Sequence, residues 1–155
     1  MARSSLAVLG VALMLLSIAC GSAEPSRQTA VPTRAQETLG LSTLDSRYAA
    51  AASAITLFHL RLDQRNYSGI YAMTDETFRA VSSEAQLTAR LTSLRDRLGR
   101  STSVDELSSE YVDLTPDVQL SFVIETTFEN GTLIETFVWR VTSSEKVYLV
   151  SFQTR

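Results

Sequence analysis

An Asn-Gly pair at 130–131 lies between two stretches in which apolar and polar residues alternate, and it limits the fold more than any other feature. Asn-Gly is favoured in two-residue hairpin turns, because both central residues of a type I′ turn need positive φ. Such a turn would pair Phe122 with Trp139 and Thr126 with Glu135. One face of the hairpin is then largely apolar, with Leu120, Phe122, Ile124, Phe128, Leu133, Phe137, Trp139 and Val141.

The same alternation predicts a strand on either side of this hairpin. A second turn at Ser143-Ser144 would place Tyr148 opposite Trp139 on the apolar face, with Val150 opposite Phe137. An earlier strand, at about 101–113, offers Leu107 and Tyr111 as inward-facing residues, and its pairing is left open.

Helical periodicity dominates the chain before residue 100. Apolar residues recur at helical spacing over 45–64, and a shorter helix is expected at 66–72. A capping box at Ser83 and a glycine at position 99 delimit a third helix over 84–98. The predicted class is α+β, with N-terminal helices packed on one face of a curved, roughly four-stranded antiparallel sheet.

Composition and charge exclude several classes of protein. The chain has 155 residues, enough for one ordinary domain, and 14 basic against 17 acidic residues give a net charge of -3. A single lysine, Lys146, accompanies the arginines, so no basic stripe for nucleic acid is expected. Gly and Pro number only 6 and 3, which is too few for a collagen-like or low-complexity chain.

The N-terminus has the pattern of an export signal. Arg3 precedes an apolar run over 6–19, which is too short to span a membrane as a helix. The run ends in Leu16-Ser17-Ile18-Ala19-Cys20, and this stretch resembles the lipobox of bacterial lipoproteins.

The lipobox resemblance implies cleavage before Cys20 and acylation of its thiol. The expected organisation is a signal peptide at 1–19, a lipidated flexible tether at 20–43 and a folded domain at 44–155. The protein would be exported and anchored in the bilayer of the bacterial cell membrane or outer membrane, on the periplasmic side. Gly21 after the cysteine resembles the outer-membrane default of diderm bacteria.

A further resemblance rests on motif order within residues 46–153. Asp63 lies four residues before Tyr67, Arg95 precedes a Leu98-Gly99 pair, and a Thr-x-Phe motif ends at Phe128 before the strand with Glu135. This order resembles an uncharacterised family of small bacterial envelope proteins, within the ketosteroid-isomerase-like superfamily, also called nuclear-transport-factor-two-like. The resemblance implies a cone-shaped domain. It does not imply an activity, since the superfamily includes both enzymes and association domains.

Glu135 is the one candidate for acid–base chemistry, because the predicted register places it among apolar side chains. It could be a general base or a ligand anchor. The more ordinary explanation is a carboxylate near the sheet edge that is hydrogen-bonded to Thr126 or to a tyrosine, or that is half-exposed at the mouth of the cone. The residues expected to line a pocket are Phe58, Tyr71, Phe122, Ile124, Glu135, Phe137, Trp139 and Tyr148.

Other residue patterns indicate no cofactor. His59 and Asp63 lie four apart on the first helix, but two ligands do not make a metal site. On the outer sheet face, an apolar patch is formed by Val123, Val138, Leu149 and Val147. It would fit a second copy or an envelope protein, or it is covered by the tether or left as ordinary scattered surface.

Three functions follow from these patterns. The first is a membrane-anchored, non-catalytic domain that binds a small apolar ligand or another protein. The second is a small acid–base enzyme of the isomerase or dehydratase type that uses Glu135. The third is a structural component of the envelope that acts through the outer face of its sheet.

Overall fold

The computed structural model describes residues 34–155, with side-chain surroundings from residue 43 onward. The predicted signal peptide, Cys20 and the tether before residue 34 lie outside the described residues. The elements, in chain order, are α1 Arg34–Asp63, α2 Tyr67–Ala72, α3 Glu76–Val81, α4 Glu84–Leu98, β1 Ser101–Leu114, β2 Asp117–Phe128, β3 Gly131–Val141 and β4 Val147–Thr154.

The α+β class is confirmed. The four helices precede an antiparallel sheet of four strands in the order β1-β2-β3-β4, and the sheet does not close. Since each strand pairs with its neighbour in sequence, β1 and β4 form the two edges. Alternate residues of β2 are buried, as expected for a sheet with one covered face.

The helices mostly follow the sequence signals. The capping box of Ser83 and Gln86 opens α4, and Gly99 ends it with a φ of 79°. Asn66 caps α2 by accepting from the Gly69 N–H. The predicted start of the first helix at residue 45 is wrong, because α1 already begins at Arg34 and includes residues assigned to the tether. The short helix α3, capped by Asp75, was not predicted.

The predicted turn and register of the β2–β3 hairpin are wrong by two residues. Phe128 pairs with Gly131, so the loop residues are Glu129 and Asn130, and Phe122 faces Phe137. A type I′ turn needs positive φ at Asn130, and that angle is not positive. Contacts from the α4–β1 connection hold the turn instead: the Asn130 N–H donates to the Leu98 carbonyl and the Glu129 N–H to the Arg100 carbonyl. A shift of two leaves every side chain on its predicted face.

The predicted register of the β3–β4 hairpin is wrong in a way that does change faces. Residues 142–146 form the loop, and Glu145 adopts a φ of 60°. The loop has an odd number of residues instead of the predicted two, and this exchanges the two faces at the start of β4. Leu149 therefore faces Trp139 in the core, and Tyr148 lies on the outer face beside Arg140. A bulge then leaves Val150 without a cross-strand partner.

Aromatic side chains occupy the space between the helices and the sheet. Phe58 of α1 contacts Phe137 edge-on at 5.0 Å between ring centroids, and Phe152 lies 4.9 Å from Phe58. Phe137 stacks at 6.0 Å on Trp139, and both have no exposed surface. The sheet interior is therefore packed with rings.

Strand β1 is the exception to this burial. It runs for 14 residues, and all but Ser101 are exposed. The expectation that Leu107 and Tyr111 point inward is wrong in terms of burial, since their exposed fractions are 55% and 58%. Leu107 lies in a bulge of the β1–β2 ladder. Tyr111 is opposite Leu120, on the same face of the sheet as the helices, but the helices leave it more than half exposed.

Candidate functional site

Glu135 forms a buried polar cluster with His59 and Thr126. Its Oε2 atom lies 2.7 Å from His59 Nε2 and accepts a hydrogen bond of 2.5 Å from the Thr126 hydroxyl. Glu135 and Thr126 have no exposed surface, and His59 has 3%. Ile124 faces Glu135 across the sheet; Thr126 reaches it as the diagonal neighbour.

The hydrogen bonds of His59 limit what the cluster can do. Nδ1 lies 3.0 Å from the Ile55 carbonyl, which can only accept, so Nδ1 carries a proton. One further proton then lies between Nε2 and Glu135, either as an imidazolium–carboxylate pair or as a carboxylic acid that donates to a neutral ring. Both ring nitrogens are therefore engaged inside the chain.

Of the three cluster residues, His59 borders a surface depression. This depression of about 310 Å³, between α1 and the start of β1, is lined in part by His59, Leu60 and Val104. Glu135 is not part of its lining and has no exposed surface. Oε1 of Glu135 has no hydrogen-bond partner among the described residues. The arrangement can retain a proton, but a substrate would have to displace an existing hydrogen bond to receive it.

The predicted pocket-lining residues are mostly core residues. Full or nearly full burial is shared by Phe58, Phe122, Ile124, Glu135, Phe137 and Trp139. Tyr71 is partly buried beneath the guanidinium of Arg79, 5.4 Å from its ring centroid. Tyr148 lies on the opposite face, where Arg140 covers its ring.

His59 and Asp63 do not act together. Asp63 caps the start of β1, accepting from the Ser101 N–H at 3.0 Å and from its hydroxyl at 2.8 Å. Within residues 34–155, no group of three or more His, Cys, Asp or Glu side chains is arranged to hold a metal ion.

Most of the exposed large apolar side chains of the described residues lie on β1. Five of the eight are on this strand, distributed over both of its faces, and we call them the β1 surface: Val104, Leu107, Tyr111, Val112 and Leu114. The strand has 14 residues, whereas strands in globular proteins usually have about five to six. At about 3.3 Å per residue it is roughly 45 Å long. Edge strands of this length are normally protected, since their free backbone groups can pair with another chain.

Two shallow depressions continue the β1 surface towards α1. One, of about 470 Å³, lies between Arg47 and Tyr111, and the other, of about 150 Å³, lies beside Tyr48. Between them and the depression at His59, the Tyr48 hydroxyl donates to the Glu106 carboxylate and joins α1 to β1. This hydrogen bond, followed by burial, raises the pKa of Tyr48. Surface depressions therefore lie at both ends of the region where α1 runs beside β1, and the hydrogen bond between Tyr48 and Glu106 joins the two elements between them.

Sequence reasoning missed two features of this region. His59 lies one turn after Ile55 on the apolar stripe of α1, so its inward position could have been found, but its contact with Glu135 depends on tertiary packing. The exposure of β1 could have been predicted from its composition, because nine of its 14 residues are polar and its apolar residues do not alternate.

Comparison with protein-family models finds no match to this chain, and comparison with curated proteins finds none either. Among the helices of the described residues, none combines the length and apolar character that crossing a membrane requires.

Proposed function

We propose that the chain is a lipid-anchored, non-catalytic interaction domain of the bacterial cell envelope, and that it contacts a protein through the β1 surface. The observation that carries this proposal is the exposure of a 14-residue edge strand with five large apolar side chains. A long exposed edge strand with apolar side chains is a template on which another chain can pair.

The packing of the interior supports a surface contact over a pocket for a small apolar ligand. The cone interior expected to hold a ligand is occupied by the rings of Phe58, Phe137 and Trp139, all without exposed surface. The acid–base alternative has a base, Glu135, but that carboxylate has no exposed surface and is hydrogen-bonded to His59. Membership in the ketosteroid-isomerase-like superfamily fits the order of helices before sheet, and remains part of the proposal.

The outer-face patch predicted from the sequence supports this function less well. Val123 and Val138 do lie on the outer face, where they are partly exposed. Leu149 is buried in the core with no exposed surface, and Val147 is partly buried against the core. The structural role proposed for this face therefore loses two of its four apolar contacts, whereas the five apolar side chains of the β1 surface are exposed.

Membrane anchoring is tested by replacing the lipobox cysteine. The Cys20→Ser protein should leave the membrane fraction, because a serine cannot carry the thioether-linked diacylglycerol and two or more acyl chains are needed for a stable anchor. Cell fractionation and the intact mass of the mature protein measure this. A mature protein that starts elsewhere and carries no acyl group would contradict the anchor.

Contact through β1 is tested by photocrosslinking in intact cells that express the full chain. With p-benzoylphenylalanine at position 107 or 111, we expect a discrete crosslinked product of higher mass, since both side chains are more than half exposed on β1. The same group at Val81, which is 81% exposed on α3, is the matched control and should give none. Equal products from all three positions, or none, would contradict the proposed contact.

A further inference from the structure

The carboxylates of β1 divide into two sets according to the face they occupy. Glu106 and Asp113 lie on the helix-covered face and have partners: the Tyr48 hydroxyl donates to Glu106, and the N–H and hydroxyl of Thr115 donate to Asp113 at 2.9 and 2.8 Å. These hydrogen bonds lower the pKa of Asp113. The charges of the inner face are thus satisfied within the chain.

The carboxylates of the outer face have no such partners. Asp105 and Glu110 lie there, and Asp105 faces Glu125 of β2 directly across the ladder. Like charges in directly opposite positions destabilise a sheet. Among residues 43–155, no hydrogen bond or ion pair reaches the side-chain carboxylate of Asp105, Glu110 or Glu125. This outer corner of the sheet therefore carries uncompensated negative charge next to the free edge.

From this arrangement we infer that the partner of β1 is an extended segment in which basic and apolar residues alternate, and that it adds to the sheet as a fifth strand beside β1. The inference rests on the proposed function and names the class of its partner. Strand addition uses the free backbone groups of the edge for affinity and alternate side chains for specificity.

The required alternation follows from the two faces of β1. An added strand presents successive side chains to opposite faces of the sheet. Along residues 104–111, its outer-face side chains would meet Asp105 and Glu110, so lysine or arginine fits there; the apolar Val112 and Leu114 follow on that face beyond this stretch. On the inner face, they would meet Val104 and Tyr111 and the exposed Leu60 of α1, so apolar residues fit there, since Glu106 on that face is already bonded to Tyr48.

A second copy of this chain fits the edge less well. Antiparallel pairing of two β1 strands would continue one sheet through both copies and bring the unpaired carboxylates of both onto the same outer face. The strand has four acidic residues and no basic residue to offset them. Like-charge repulsion therefore opposes self-pairing and favours a cationic partner.

The test uses the purified full chain and a short fluorescein-labelled peptide in which lysine alternates with valine. Fluorescence anisotropy should show saturable binding that weakens with added salt, as expected for exposed charge pairs. A peptide with glutamate in place of each lysine should not bind. The lysine peptide with N-methylated backbone on every second residue, which retains the charges but loses ladder donors, should also fail to bind.

Two double variants of the protein distinguish the effect of the β1 carboxylates on binding from the effect of the net charge of the chain. The Asp105→Asn/Glu110→Gln protein should bind the lysine peptide about tenfold more weakly, as loss of two partly exposed charge pairs predicts. The Glu76→Gln/Glu84→Gln protein loses the same charge from exposed positions on α3 and α4 and should bind like the unmodified chain.

Three results would overturn strand addition. Equal binding of the N-methylated peptide would show attraction by charge without a ladder. Equal weakening by both double variants would show an effect of net charge alone. Dimerisation of the Asp105→Asn/Glu110→Gln protein in sedimentation, without peptide binding by the unmodified chain, would show that the carboxylates only protect the edge. If the peptide does not bind but position 111 still gives a discrete crosslink in cells, the proposed function stands and only the class of partner is wrong.

Discussion

The Phe137→Ala protein is expected to be less stable by about 3 to 5 kcal/mol, as large-to-small changes of a fully buried aromatic residue are. Phe137 has no exposed surface and contacts the rings of Phe58, Trp139 and Phe152. Its removal leaves a cavity that rings anchored on three different elements cannot close. Urea unfolding followed by tryptophan fluorescence measures the change, because Trp139 lies beside the cavity.

The matched control for Phe137 is its neighbour on the same strand. Val138 points to the outer face and is partly exposed, so Val138→Ala should cost less than about 1 kcal/mol. If the two variants were equally stable, the inner face of the sheet would not be the packed core described above.

The second large loss of stability is expected when either member of the hydrogen-bonded pair of His59 and Glu135 is replaced. The single changes His59→Leu and Glu135→Leu should each cost about 3 to 5 kcal/mol, because each leaves a buried polar group without its partner. The double variant should be more stable than the sum of the two single losses predicts, since it removes both members. A double-mutant cycle by urea unfolding gives this coupling energy directly.

A conservative change at the same position shows whether hydrogen bonding or shape is responsible. In Glu135→Gln the amide can donate to His59 Nε2, and the Thr126 hydroxyl can rotate to accept, so this variant should lose much less stability than Glu135→Leu. Independent, additive losses in the cycle, or a Glu135→Gln protein as unstable as Glu135→Leu, would contradict a hydrogen-bonded pair.

The inner face of the β2–β3 hairpin could be predicted because alternation tolerates an error of two residues. The register was wrong, yet Phe122, Ile124, Phe137 and Trp139 are buried as expected, since side chains repeat with a period of two. Local turn preference favoured Asn130-Gly131. The tertiary hydrogen bonds that Asn130 and Glu129 donate to the carbonyls of Leu98 and Arg100 moved the turn, and no pattern near residue 130 indicates them.

The face of β4 could not be predicted in the same way, because an odd loop reverses it. Tyr148 and Leu149 are both apolar enough to be buried, so alternation alone does not choose between them. The choice is made by the loop at 142–146, where the Thr142 N–H donates to the Lys146 carbonyl, and by the bulge at Val150. The candidate site shows the same limit: Glu135 was identified from its strand, whereas His59, 76 residues away, was not assigned to it.

If the protein contacts a partner in the envelope through β1, the bound partner should protect the backbone amides of this strand from exchange. Hydrogen exchange read by mass spectrometry can compare the full chain in native membrane vesicles with the purified protein. We expect peptides covering Ser101–Leu114 to exchange more slowly in the vesicles than in the purified protein, and peptides of α3 to exchange alike in both. Equal exchange of β1 in the two preparations would contradict this contact.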